Sequence, residues 1–296
     1  MKKLLLILLC LPVIGFGQNV NIPDVNFKAY LVGNNLINTN GDTEIQVSEA
    51  TAFNGAILCN SLNIFDLTGI EVFTALTFLD CYDNQLTSLD VTANTALNFF
   101  ICGENQLTSL DVTANTALIF FNCPYNQLTS LDVSQNAILI HLDCVSNQLT
   151  TLDVSNNINL TDIYCAYNNL TVIDVSNNTS LTKLWCAGNQ LIYLNVKNGN
   201  NYNFYDYNMY SFNCENNPLL DCIEVDDAAW STANWTHIDS QHYFSTNCSG
   251  TSIQENTRIK ELLKVTGLFG RETNQTNQPI FYIYDDGTVE KKITIN

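Results

Sequence analysis

Between Leu76 and Ala187 the apolar positions repeat in blocks of 21 residues. The block from Leu86 to Asn105 reads LTSLDVTANTALNFFICGEN, and the blocks after it hold Leu, Cys, Asp and Asn in register. Each block divides into two near-copies of Leu-x-x-Leu-x-[Cys or Val]-x-x-Asn. One is Leu97, Phe100, Cys102, Asn105 and the other is Leu86, Leu89, Val91, Asn94. Apolar residues at alternate positions followed by an asparagine describe a short strand that turns a corner. Two such halves per block predict a flattened coil with a strand on each side. A fixed period of 20 to 29 residues is the mark of a solenoid, whose coils bury their apolar faces only by stacking.

The cysteines Cys81, Cys102, Cys123, Cys144, Cys165 and Cys186 are the ruler of this repeat. Stacked coils place their sulfurs in a line about 4.8 Å apart, the strand spacing. Zinc needs ligands converging on a point, and a disulfide needs Cβ atoms about 3.5 to 4.5 Å apart. The ladder is therefore expected to be buried, reduced thiols acting as small apolar residues. Cys222 and Cys248 lie outside it and are candidates for a disulfide with each other in an oxidising compartment. The asparagines Asn84, Asn105, Asn126, Asn147, Asn168 and Asn189 form a parallel ladder, expected to bond the turn backbone and the matching asparagine one coil away. Asp90, Asp111, Asp132, Asp153 and Asp174 recur in the other half-block. Their mutual repulsion calls either for bridging cations or for Thr and Ser hydroxyls and backbone groups, and the second is favoured.

Alternation also assigns an outward face. With Leu and Cys inward, Phe78, Phe99, Phe120, His141, Asp162 and Lys183 form one outward column, and Asp80, Ile101, Asn122, Asp143, Tyr164 and Trp185 the next. The adjoining Phe78, Phe99, Phe120 and Ile101 make an apolar patch of the kind that marks an interaction site, with Tyr164 and Trp185 as further anchors.

The repeat pattern is the leucine-rich repeat with cysteine in place of one core leucine, and it resembles the 21-residue repeats of internalin J-type proteins over residues 20 to 220. That resemblance implies a curved leucine-rich repeat solenoid with a parallel sheet on the concave side and short strands or irregular turns on the convex side. It also implies a helical, EF-hand-like N-terminal cap and a role in binding or adhesion, with no ligand named.

The flanks supply the remaining expectations. Residues 1–17 read as a signal peptide: Lys2 and Lys3, an apolar run from Leu4 to Phe16, and small Gly15 and Gly17. Residues 18–56 are expected to form the cap, with Phe27, Tyr30 and Leu31 on one helical face after Pro23 and Asp24. Asn38, Asn40, Asp42, Glu44 and Glu49 sit in an EF-hand-like layout, with Ile45 at its apolar position. Asn38 stands where Asp is usual and Thr43 where Gly is, so calcium and a metal-free loop of similar shape are both open. The fold itself requires no cofactor.

The solenoid is assigned to 57–220, beginning in a divergent coil at Cys59. After Leu194 the period is lost, Cys214 follows Cys186 by 28 residues, and Asn195 to Tyr210 reads as a projecting loop. Residues 221–250 form an aromatic closing segment with Trp230, Trp235, Tyr243 and Phe244. Residues 251–296 comprise a linker and a small β element around Asp285, Asp286 and Gly287. Gly270, Arg271 and Phe281 to Lys292 resemble the type A C-terminal sorting domain of the type IX secretion system of Bacteroidetes, which implies export by that machinery.

Charge narrows the partners. The net charge of −18 excludes nucleic acid, which needs clustered Lys and Arg, and gives no support to anionic lipid. No stretch after the leader reaches the ~18 apolar residues of a membrane span. Of the three histidines, His141 is alone in the repeat, and His237 and His242 flank Asp239 with no evident Ser, Cys or metal partner set. The expectation is a secreted or outer-surface, non-catalytic protein that engages a protein or glycan through its concave face. The alternative is a structural surface protein assembling by solenoid self-association.

Overall fold

The structure is a computed structural model that describes residues 18–204 and 211–248 in full, and the backbone alone of the strands within 262–292. The expected leader at 1–17, residues 205–210 of the expected loop, the linker and Gly270–Arg271 lie outside the described residues. The chain forms two units, Met1–Asn247 and Cys248–Asn296.

The first unit opens with helix α1 (Val25–Gly33). Asp24 caps it: its Oδ1 accepts from the Asn26 and Phe27 amides at 2.9 Å, as a short acidic side chain does at a helix start. Phe27 and Leu31 are fully buried, and the Tyr30 hydroxyl accepts the Leu58 amide at 2.7 Å. Asp24 Oδ2 accepts the Phe65 amide at 2.8 Å and Asn26 Nδ2 donates to the Asn63 carbonyl at 3.0 Å, so these bonds also tie the cap to the first coil. Helix α2 (Val47–Ala52) begins at a capping box of Gln46 and Glu49.

Three-residue parallel strands then recur once per coil: β1 (Ala56–Leu58), β2 (Phe78–Asp80), β3 (Phe99–Ile101), β4 (Phe120–Asn122), β5 (His141–Asp143) and β6 (Asp162–Tyr164). The chain continues through β7 (Val172–Asp174), β8 (Lys183–Trp185), β9 (Tyr193–Asn195), β10 (Phe212–Asn213), β11 (Cys222–Glu224), helix α3 (Ala228–Asn234) and β12 (Tyr243–Ser245). An eight-stranded sheet runs β1-β2-β3-β4-β5-β6-β8-β10, and a four-stranded sheet β12-β11-β9-β7 forms on the other side of the coils. This is a leucine-rich repeat solenoid.

The second side differs from a strand in every coil. The early coils carry Thr-Ser ahead of the inward leucine, as in Thr87-Ser88-Leu89, and turn irregularly there. Regular strand starts where Val172 and Tyr193 take the place of that serine. The repeat also outlasts Leu194. Val196 and Asn198 are buried in the next coil, and Asn198 Nδ2 donates to the Asn178 carbonyl at 3.1 Å. The segment from Asn195 to Phe204 is thus built into the solenoid and does not project.

The six ladder cysteines, with Cys59 and Cys214, are free and fully buried. Phe100 and Phe121 stack in the core at 5.5 Å and 9°. Each ladder asparagine binds backbone on two coils and not its counterpart's amide. Asn126 Nδ2 donates to the carbonyls of Cys102 at 3.0 Å and of Cys123 and Pro124 at 3.3 Å, while its Oδ1 accepts the Leu107 amide at 2.9 Å. A second ladder, Asn94, Asn115, Asn136, Asn157 and Asn178, donates to two carbonyls of the preceding coil, and its Oδ1 atoms have no hydrogen-bond partner. The residue ahead of each first-ladder asparagine is left-handed: Asp83, Glu104, Tyr125, Ser146 and Tyr167 at φ 48–55°, and Gly188 at 66°. A side chain at Gly188 would also strike the Tyr167 ring, whose Cδ1 lies 2.6 Å from where Cβ would stand.

At the far end Trp235 is 1% exposed and stacks on Phe212 at 4.0 Å, between Phe204 and Phe244. This aromatic plug covers the last coil, as solenoid ends require. Cys222 and Cys248 are each in disulfide linkage. The second unit contains three antiparallel strands, β13 (Leu262–Thr266), β14 (Ile280–Tyr284) and β15 (Val289–Lys292), in that order. The last two flank the expected Asp285-Asp286-Gly287 turn, which lies outside the described residues.

Candidate functional site

The eight-stranded sheet puts both outward columns in register. Phe78, Phe99, Phe120, His141, Asp162 and Lys183 pair in sequence, and so do Asp80, Ile101, Asn122, Asp143, Tyr164 and Trp185. In each of these strands the middle residue is buried, while both outer ones are partly or well exposed.

The rings form a continuous row. Centroid separations are 5.7 Å for Phe78–Phe99, 5.9 Å for Phe99–Phe120 and 4.2 Å for Phe120–His141, the last pair being parallel to 4°. The row then crosses columns, with His141–Tyr164 at 5.4 Å and Tyr164–Trp185 at 6.5 Å, edge to face. Tyr167 meets Trp185 edge to face at 5.9 Å from the turn outside the sheet. Beneath these last rings lies a small cluster of Val145, Ala166 and Ala187. Strand spacing and in-plane offset let each ring keep its neighbour in the stacked or tilted geometry that aromatic quadrupoles favour.

The charged groups divide unequally. Lys183 Nζ lies 2.8 Å from Asp162 Oδ1, and His141 Nδ1 lies 3.7 Å from Asp162 Oδ2. Burial pushes the Asp162 carboxyl up, but hydrogen bonds from His141, Lys183 and Thr161 outweigh it and hold the group at about 2. Asp143 has no such partner: burial raises its pKa, against a 3.0 Å bond from the Val145 amide and the neighbouring His141. Asn122 Nδ2 donates to its other oxygen at 3.2 Å. Tyr82, in the turn beyond the cysteine, donates to Glu104, and that bond with partial burial pushes its hydroxyl up to about 12.

Alternation within strands reveals these columns but misses what lies off the strands. Tyr125 and Tyr167 are 53% and 52% exposed at the left-handed turn position. Ile138, Ile140 and Ile158 are 47%, 43% and 54% exposed at the entries to β5 and β6. Reading the position two after each cysteine, and those just before each strand, as columns of their own would have exposed them.

The opposite side carries the aspartate column, whose Oδ1 atoms accept from the residue two ahead. Thr92 and Thr113 donate both amide and hydroxyl to Asp90 and Asp111, at 2.6–2.9 Å, while Ser134, Ser155 and Ser176 donate their amides to Asp132, Asp153 and Asp174 at 2.9 Å. An open groove of about 550 Å³ lies along it, lined by Asp66, Asp90, Asp111 and Ser109 among others.

In the cap, Asn38, Asn40, Asp42, Glu44 and Glu49 are engaged with one another and with backbone. Glu49 Oε1 accepts from the Thr39 amide and hydroxyl at 2.8 and 2.9 Å and from the Asn40 amide at 3.2 Å, and Oε2 accepts the Gln46 amide at 3.0 Å. Lys28 Nζ holds Glu44 at 2.6 Å, Asn38 Nδ2 donates to the Val32 and Asp42 carbonyls, and Asn40 and Asp42 bond each other.

His242 does have a cysteine partner, which the sequence did not reveal. Cys214 Sγ, 28 residues away in sequence, lies 3.6 Å from its Nδ1, and Asp239 Oδ2, three residues away, lies 3.5 Å from its Nε2. Both side chains are buried, burial raises the Cys214 thiol well above its usual value, and the Asp239 amide already donates to Nδ1 at 3.1 Å. Burial and a raised thiol pKa oppose formation of a thiolate, and the contact joins the closing segment to the last cysteine of the ladder position.

No protein-family model and no curated protein matches the chain. Among solved structures, it is similar to the functional domain of InlJ from Listeria monocytogenes, described as including a cysteine ladder. That match has 32% identity and a TM-score of 0.58, and covers 71% of this chain and 52% of that one. The chain thus spans about half the length of that relative. It is also similar to a leucine-rich repeat protein of Leptospira interrogans, at 18% identity, a TM-score of 0.39, and 60% and 50% coverage. Internalin C2 of Listeria monocytogenes matches at 17% identity and a TM-score of 0.39, with 60% and 90% coverage.

Proposed function

We propose that this cysteine-ladder, leucine-rich repeat solenoid is a secreted or outer-surface recognition module that binds a protein ligand on its eight-stranded face. The observation that carries the reading is the uninterrupted row of rings from Phe78 to Trp185 on an outward face. An apolar strip of that length costs solubility unless something covers it, which is why such patches mark interaction sites. The leader-like residues 1–17 and the tail resembling a sorting segment support export. Glycans remain the second ligand class and solenoid self-association the alternative role.

The test is to display the full chain against arrays of extracellular proteins and glycans. Phe99→Ser with Phe120→Ser is expected to abolish capture while costing only about 1 kcal/mol per lost ring contact in stability. Undiminished capture by the double variant excludes this face. Sedimentation of the same samples reads the alternative, since assembly that vanishes with the phenylalanines marks self-association.

The cap loop is proposed to close the solenoid without metal, because the Glu49 carboxylate is already committed to four hydrogen bonds within the loop. Its carboxyl is held below the usual range by those bonds, against partial desolvation. Glu49→Ala is expected to cost about 1 to 2 kcal/mol through the lost capping box. Calcium or a chelator is expected to leave the Tm of the native protein unchanged. A Tm that rises with calcium would overturn the proposal.

A further inference from the structure

Given the binding face proposed above, its charge and geometry specify the chemistry of the partner. Three carboxylates lie in the two outward columns: Asp80, Asp143 and Asp162. The single lysine among those positions, Lys183, is 2.8 Å from Asp162, and the pair cancels. Among the described residues no lysine or arginine pairs with Asp80 or Asp143, and Asp143 has only the His141 ring as an electrostatic neighbour. Asp80 accepts only the Tyr82 amide, at 3.1 Å, and Asp143 the Val145 amide and the Asn122 side chain. The turns beside this column add Asp83 and Glu104, and the chain as a whole carries −18. Tyr164 stands next to Asp143 in register and meets Trp185 edge to face. A half-buried carboxylate beside aromatic faces is a setting in which a cation gains both Coulombic and π attraction.

The two columns differ in character and run side by side across the coils. One is apolar from Phe78 to Phe120, while the other carries the uncompensated acids. An extended chain sends successive side chains to opposite sides. Laid across the coils, it would place alternate residues over each column. Asp80 and Asp143 are three coils apart, about 14 Å, and four residues of extended chain span about 13 Å. We propose that the eight-stranded face takes an extended, cationic segment of a partner protein, with two basic residues at i and i+4 over Asp80 and Asp143 and aliphatic residues between them on the phenylalanine row.

The probe is a synthetic peptide of alternating leucine and arginine, compared with leucine–glutamate and serine–arginine peptides of equal length. Binding to the full chain is followed by fluorescence anisotropy. The leucine–arginine peptide is expected to bind at least about tenfold more tightly than either control, because each control lacks one of the two contact sets. Asp80→Asn with Asp143→Asn is expected to weaken it by about tenfold. Asp111→Asn with Asp132→Asn, on the opposite side of the coils, is expected to leave it unchanged. Equal loss from the remote pair would show attraction to overall charge and overturn the proposal, as would equal binding of the glutamate peptide. If Phe99→Ser with Phe120→Ser abolishes ligand capture but the Asp80 and Asp143 substitutions change nothing, the face stands and the cationic partner falls. If the phenylalanine variant also captures ligand normally, both readings fall.

Discussion

Replacing Asn126 by alanine is expected to destabilise the solenoid by about 3 to 5 kcal/mol, more than most surface or single-contact substitutions. One amide in the middle of the chain serves four backbone groups. Its loss strands the Leu107 N–H and removes a donor from the carbonyls of Cys102, Cys123 and Pro124. None of these can turn to water, because Asn126 is 8% exposed and the cysteines beside it are wholly buried. The cost crosses a coil boundary, so it weakens the coupling between neighbours on which a solenoid's cooperativity depends. Asn136→Ala is the matched control. Asn136 donates to the Val112 and Asn115 carbonyls, but its Oδ1 has no partner, so its removal strands no N–H. Its expected cost is smaller, about 2 kcal/mol. Equilibrium urea unfolding of both variants measures the difference. An Asn126 variant within about 1 kcal/mol of the parent would mean that water or a shifted backbone replaces the amide.

The second large effect is alkaline lability. Eight free cysteines are buried, and burial pushes their thiols upward, Cys59 to about 12 and Cys81, Cys123, Cys144, Cys165, Cys186 and Cys214 well above their ordinary value of 9.0. Cys102 moves in the same direction. The unfolded chain loses these protons near pH 9 and the folded chain keeps them. Stability is therefore fully present below that pH and falls as pH rises towards the folded values. Each thiol contributes a slope of about 1.4 kcal/mol per pH unit, and eight together reach a typical domain's whole stability within about one unit. Tyr82, raised from 10.0 to about 12, adds its own share only above about pH 10. Urea midpoints are expected to hold near neutral pH and collapse between about pH 9 and 10. Cys123→Ala is expected to lower the slope by one thiol's share. A flat profile through pH 10 would contradict ionisation-coupled unfolding.

How much of this could be read in advance follows from the period. Because Cys81 to Cys186 recur at 21 residues, one inward position fixes every outward one, and the register of Phe78 with Phe99 and Asp143 with Tyr164 follows from the period. The period did not say where the second side becomes strand, since that depends on local residues such as Val172 and Tyr193 in the place of Ser88. It also misplaced the partner of Asn126 in the neighbouring coil, which is backbone and not the matching asparagine, because that choice rests on turn geometry. Cys214 and His242 meet only because the closing segment folds back over the last coil, a contact outside any repeat. The exposed isoleucines at the strand entries belong to connecting residues, where alternation gives no direction.

The asparagine bonds have a consequence for the length of the chain. Asn105, Asn126, Asn147 and Asn168 each reach the cysteine carbonyl 24 residues earlier. Excision or duplication of one whole 21-residue block would hand every such bond to a chemically identical acceptor. Length can then change in whole blocks with these bonds preserved. Adding or removing a block lengthens or shortens the row of rings, and with it the reach of the surface, by one strand spacing of about 4.8 Å.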